Sequence, residues 1–141
     1  MVKALVVDDE RHVARLLQFI LKKHGYQVFV AYDGIEAVEK IMQIRPDVVL
    51  LDLVLPRLSG LEVLDRIRSD PVSKDTKVLV LTGHAFDADS QGLSRDLADA
   101  FCTKPVAPST LLARLKEIGA GPDNPELSSI SSARDNLEEE N

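Results

Sequence analysis

Five apolar runs of strand length, "ALVVD", "VFVAY", "DVVLLD", "KVLVLT" and "AFC", begin near residues 4, 28, 47, 77 and 100, and the gaps between them have room for helices. Strands repeat every second residue and helices every 3.6, so a chain alternating the two patterns builds βα units whose strands lie parallel. The first gap carries Val13, Leu16, Leu17, Ile20 and Leu21 as a helical stripe closed by Gly25. The second carries Ala37, Val38, Ile41 and Met42 and stops before Pro46; Leu61, Leu64 and Ile67 mark a third helix. A narrow stripe around Leu93 and Leu97, interrupted by Gly92, predicts a short fourth helix. Leu111, Leu112, Leu115 and Ile118 predict a fifth, N-capped by Ser109.

The first, third and fourth runs are apolar on both faces, as central parallel strands are, whereas the second and fifth are mixed or short. With right-handed crossovers, the simplest arrangement is a five-stranded doubly wound sheet of order 2-1-3-4-5, flavodoxin-like, with five helices. Such a sheet reverses direction between strands 1 and 3. Ligands bind at the carboxyl ends of the strands beside that switch point.

What stands at those ends decides the chemistry. Strand 1 runs into Asp8 and Asp9, strand 3 ends in Asp52, strand 4 in Thr82, and strand 5 passes Thr103 into Lys104. The topology therefore gathers three carboxylates, a hydroxyl and an ammonium on one rim. Two carboxylates about 4 Å apart, at an effective dielectric of about 20, repel by roughly 4 kcal/mol, so the cluster calls for a cation. Hard oxygen ligands with room for water suit Mg²⁺ or Mn²⁺. A lysine and a threonine beside them suit phosphoryl oxygens, which makes the rim a phosphoryl-transfer site.

At 141 residues and 45% hydrophobic, the chain suits one domain with a substantial core. A single cysteine and the absence of any run of eighteen apolar residues lead to the expectation of a soluble protein in the reducing cytoplasm. The opening "MVKALVVDDE" is too short in its apolar part, and too acidic after it, for a signal peptide. Of the net charge of −6, residues 121–141 contribute −5, so no basic footprint exists for direct nucleic-acid or membrane binding.

The stretches "LVVDDE", "LLDLVLPRLSGLEVL", "VLTGHA" and "FCTKPV", in this order and spacing, resemble the receiver domains of two-component response regulators over residues 1 to about 119. The resemblance implies that Asp52 is the phosphoacceptor, that Asp9 and Asp52 ligate Mg²⁺ directly with the Val54 backbone carbonyl, and that Asp8 does so through water. It further implies that Thr82 and Lys104 hold phosphoryl oxygens, and that Gly83 is the small position leaving the phosphoryl group room. It makes Phe101 an aromatic switch residue and Lys104–Pro105 a cis peptide. His84 falls where receivers are associated with control of phosphoryl lifetime. The chain departs from the common pattern at Leu53, where Met is frequent, and at Phe101, where Tyr is frequent. The implied partner is a sensor histidine kinase or a histidine phosphotransfer protein. The implied output is a change at the surface of the fourth helix, fifth strand and last helix, with hydrolysis limited to loss of its own phosphoryl group rather than enzymatic turnover.

Each residue has a plainer reading. An isolated "DD" at a strand end commonly caps a helix, a lysine before proline is commonly solvated, and a strand-end threonine commonly bonds backbone. Only their convergence outweighs those readings. Glu10 reads as a helix-terminal charge, His12 and His24 as surface residues, and Cys102 as core. A haloacid-dehalogenase-type phosphatase, the alternative, carries a second Asp two residues after its nucleophile, where this chain has Val54. A flavodoxin-like cofactor binder needs a Gly- or Ser/Thr-rich loop after strand 1, where this chain has "DDERH". Beyond Ile118, "GAGPDNPELSSISSARDNLEEEN" reads as a flexible acidic tail over 120–141, although Leu127, Ile130, Ala133 and Leu137 fall at near-helical spacing.

Overall fold

The computed structural model of the chain describes residues 1–83 and 97–122. Its elements run β1 (Lys3–Val7), α1 (Arg11–Lys23), β2 (Gln27–Ala31), α2 (Gly34–Ile44), β3 (Val48–Asp52), α3 (Gly60–Ser69), β4 (Lys77–Thr82), β5 (Ala100–Thr103) and α4 (Pro108–Glu117). All strand pairs are parallel, in the order β2-β1-β3-β4-β5. The expected sheet is therefore the observed one. The helix expected around Leu93 falls outside the described residues, so the last helix is α4 here.

Alternation along the strands divides the core in two. Ala4 and Val6 of β1, with Val48 and Leu50 of β3, face a cluster containing Leu17 and Leu21 of α1 and Leu111 and Leu115 of α4. Leu5, Val7, Val49 and Leu51 face the other side, against Ala37 and Ile41 of α2 and Val63, Leu64 and Ile67 of α3. Every residue of β1 and β3 is buried, while β2 and β5 are mixed, as edge strands are. Cys102 is buried in β5, and burial pushes its thiol above the ordinary value.

Sequence expectations change in the helices, where Met42 of α2, like Leu16 of α1, is exposed. Leu16, assigned to the buried stripe of α1, is 57% exposed, and Ala14 takes its place. At 100° per residue Leu16 lies a quarter-turn from Leu17 and off the sheet. Helix α4 is capped by Ala107, without a side-chain hydrogen bond, and not by Ser109. Pro108 at the first helical position starts the helix earlier, because its φ is already helical and it has no N–H to satisfy. The packed chain also includes the residues just after Ile118. Ala120 is fully buried and accepts a hydrogen bond from the Tyr26 hydroxyl at 2.6 Å, and Gly121 is also buried.

Candidate functional site

Strand register places the rim residues. Val7 pairs with Leu51, which puts Asp8, the next residue, level with Asp52. Asp52 pairs with Leu81, and Thr82 with Thr103, so Thr82 stands one step and Lys104 two steps further along the same rim. Residues up to 96 positions apart in sequence meet because parallel strands present all their carboxyl ends together.

Asp8 is fully buried and Asp52 is 5% exposed. The Lys104 ammonium bridges them, donating to Asp8 Oδ2 at 2.6 Å and to Asp52 Oδ2 at 2.9 Å. The remaining oxygens are held by local backbone: Glu10 N–H donates to Asp8 Oδ1 at 2.9 Å, and Val54 N–H to Asp52 Oδ1 at 3.0 Å. Asp9 is exposed and completes a group in which one oxygen from each of Asp8, Asp9 and Asp52 lies within 4.8 Å of the others. Burial pushes the Asp52 carboxyl above the usual carboxylate range, and the hydrogen bonds from Lys104 and the Val54 N–H only partly offset it. For Lys104, burial works against the charge, yet the hydrogen bonds to Asp8 and Asp52 outweigh it and hold the ammonium above its ordinary value. By count, three carboxylates and one lysine leave the pocket short of positive charge.

This donor set fits a hard divalent cation. It offers carboxylate oxygens only, from converging strand ends, with an ammonium standing between two of them where a cation is electrostatically wanted. Of the three carboxylates Asp9 is exposed, whereas Asp8 and Asp52 are buried.

The remaining candidates fall as follows. Thr82, half-buried, ends β4, and its carbonyl accepts the Lys104 N–H at 2.7 Å. Val80, on the same face as Thr82, pairs with Phe101, so Thr82 and Phe101 are diagonal neighbours on one face of β4–β5. Phe101 is half-buried and packs against the α2–α3 core cluster. The Lys104–Pro105 peptide is cis. Among the described residues, nothing lies within 4 Å of where a Gly83 side chain would begin. Val54 is 79% exposed in the loop after Asp52. His84 lies outside the described residues. His12 and His24 are exposed, and Glu10 precedes α1 without a side-chain capping bond.

Two positioning glycines escaped the reading of the sequence. A Cβ on Gly60 would lie 2.3 Å from the Asp52 carbonyl oxygen and 2.4 Å from Leu53 Cα, and one on Gly34 would lie 2.0 Å from the Leu58 carbonyl oxygen. The loop after the central aspartate is thus held between the N-termini of α2 and α3. Gly60 N–H donates to the Leu53 carbonyl at 3.0 Å, and Ser59 caps α3 through the Glu62 N–H at 3.2 Å. The signal available was a glycine directly after a capping serine, a helix start that needs no glycine for its own sake.

A family model of the response regulator receiver domain matches residues 4–116. Among solved structures, the chain is similar to chemotaxis protein CheY4 of Vibrio cholerae, at 31% identity over 84% of this chain and 98% of that one, with a TM-score of 0.78. A candidate response regulator of Chloroflexus aurantiacus J-10-fl is 32% identical over 82% and 95%, with a TM-score of 0.76. A CheY-like receiver domain protein of Methanospirillum hungatei JF-1 is 28% identical over 94% and 98%, with a TM-score of 0.78.

Proposed function

Because the chain belongs to the response regulator receiver domain family, we propose that it accepts a phosphoryl group on Asp52 from a phosphohistidine of a sensor kinase or phosphotransfer protein. The observation that carries this reading is the bridge from Lys104 to Asp8 and Asp52 at the β1–β3 switch point. Asp9, Asp52 and the Val54 carbonyl, with Asp8 through water, would hold Mg²⁺, which when bound would supply positive charge to offset the phosphoryl oxygens. An Asp52 oxygen attacks phosphorus in line, the bond from phosphorus to the histidine nitrogen breaks, and the electron pair leaves with the imidazole. Val54 N–H orients the Asp52 carboxylate through Oδ1. Lys104, already directed at Oδ2, moves its ammonium onto a phosphoryl oxygen as that charge arrives. Thr82 donates its hydroxyl to another, and Gly83 leaves the space the group occupies. Drawing Thr82 toward the phosphoryl group opens room on the face it shares with Phe101, and turning of that ring changes the surface around β5 and α4. Water attacking the same phosphorus resets the state, so the chain is a switch and not a turnover enzyme. His84, two residues past Thr82 in sequence, is a further candidate for setting how long the phosphoryl group survives. This reading implies a cytoplasmic protein that meets its kinase there.

With acetyl phosphate and Mg²⁺ the protein is expected to gain one acid-stable, base-labile phosphoryl group, and Asp52→Asn to gain none. Multiple turnover of a small phosphate ester would instead support the phosphatase reading.

A further inference from the structure

Arg68, in the last turn of α3, ties together segments that are far apart in sequence. Its Nε donates to the Leu97 carbonyl at 2.7 Å, Nη1 to the Lys74 and Thr76 carbonyls at 2.9 and 2.6 Å, and Nη2 to Asp99 Oδ2 at 2.9 Å. A rigid guanidinium fork can reach acceptors in several directions at once, which a lysine ammonium cannot do from one point. Asp99 in turn closes the entry to β5: its N–H donates to the Val78 carbonyl at 2.9 Å, and its Oδ2 accepts the Val78 N–H at 2.7 Å. The end of α3, the loop leading into β4, the start of β4 and the start of β5 thus meet around one guanidinium, whose side chain is 18% exposed.

Strand register gives this clamp a task. β5 is four residues long and has one hydrogen-bonded neighbour, β4. A slip of one residue would carry Phe101 from the α2–α3 core cluster to the opposite face of the sheet. The strand is tied at both ends. At its carboxyl end the Lys104 N–H donates to the Thr82 carbonyl at 2.7 Å and the Lys104 ammonium reaches Asp8 and Asp52; at its entry stand Asp99 and Arg68. In the proposed reaction the ammonium turns from Asp52 to the phosphoryl group, so the carboxyl end is where the strand is disturbed and the entry is where it must hold. We infer that Arg68, acting through Asp99, is a positioning residue of the switch: it fixes the entry and register of β5, so that a disturbance at Thr82 and Lys104 is taken up by the Phe101 ring and not by displacement of the strand. The role in switching rests on the reading of Asp52 as phosphoacceptor; the hold on β5 does not.

Two variants of the full chain test it. Arg68→Lys keeps the charge and loses the fork, and Asp99→Ala removes the clamp from the other side. Ile20→Val, in the core cluster on the opposite face of the sheet, controls for lost stability alone. Without phosphodonor, hydrogen exchange at the Lys104 amide, at the far end of β5 from both substitutions, is expected to be about tenfold faster in the two variants than in the control. With beryllofluoride and Mg²⁺, the shift of a ring-labelled Phe101 is expected to fall below about half its wild-type size in the two variants and to persist in the control. Acetyl phosphate should still label Asp52 in all of them, since Arg68 and Asp99 touch none of the acidic site. A Lys104 amide that exchanges as in the control overturns the inference, as does a full-sized Phe101 shift in both variants or an equal loss of that shift in Ile20→Val. A wild type that acetyl phosphate does not label strikes the phosphoacceptor reading instead, and the exchange experiment still decides whether Arg68 holds β5.

Discussion

At the scale of single residues, the acidic site is arranged against its own stability. Asp8 and Asp52 are buried, and one lysine serves both. Replacing a buried charge short of counter-charge by its neutral isostere relieves more desolvation than the lost pairing returns, and Lys104 keeps Asp8 as its partner. Asp52→Asn is therefore expected to raise the melting temperature of the metal-free protein, by on the order of 1 kcal/mol in stability. Millimolar Mg²⁺ should raise the wild-type melting temperature through linkage and have a much smaller effect on the variant. A wild type indifferent to Mg²⁺ in the melt would remove the cation from the account. The carboxylates, Thr82 and Lys104 were legible in the sequence because each sits where an apolar strand stops. The Lys104 bridge was not, since it depends on side-chain reach across two strands.

At the scale of elements, the loop carrying Asp52 is fixed by two helix N-termini. Gly60→Ala should raise helix propensity by about 1 kcal/mol at an exposed interior position. Here the added Cβ would meet backbone at 2.3 Å, so the net expectation is destabilisation by about 1–3 kcal/mol, together with slower phosphorylation, measured by urea unfolding and by acetyl phosphate labelling. Helix α2 offers a pH test. The Glu36 N–H at 2.8 Å and then, beyond an opposing effect of burial, Arg57 at 3.4 Å hold the Asp33 carboxyl below its ordinary value of 3.8. A lowered folded pKa means stability present above pH 3.8 and lost as pH falls through the lower folded value. The melting-temperature advantage of wild type over Asp33→Asn should accordingly shrink on acidification through that window, and an advantage that grows would reverse the assignment. Element types and order were readable from periodicity. The close approach at Gly34 and Gly60 was not, because a glycine's neighbour across space leaves no trace in its own segment.

At the scale of the whole molecule, the sheet order followed from which runs were apolar on both faces, and the doubly wound topology then placed the site. The composition change after Ile118 suggested a boundary, whereas the Tyr26 hydroxyl, 94 positions away, captures the Ala120 carbonyl. The proposed coupling across the molecule draws on Thr82 and Phe101 sharing a face of β4–β5. Thr82→Ala should still accept the phosphoryl group but shift a ring-labelled Phe101 much less than wild type on addition of beryllofluoride; equal shifts would route the signal elsewhere. All of this depends on where the phosphoryl group goes. Borohydride reduction of the protein treated with acetyl phosphate and Mg²⁺ converts an aspartyl phosphate to homoserine, and peptide mass spectrometry locates it. The account predicts homoserine at residue 52 alone, and none when Mg²⁺ is chelated; homoserine at Asp8 or Asp9, or an unmodified Asp52 in a protein that has gained phosphate, would contradict it.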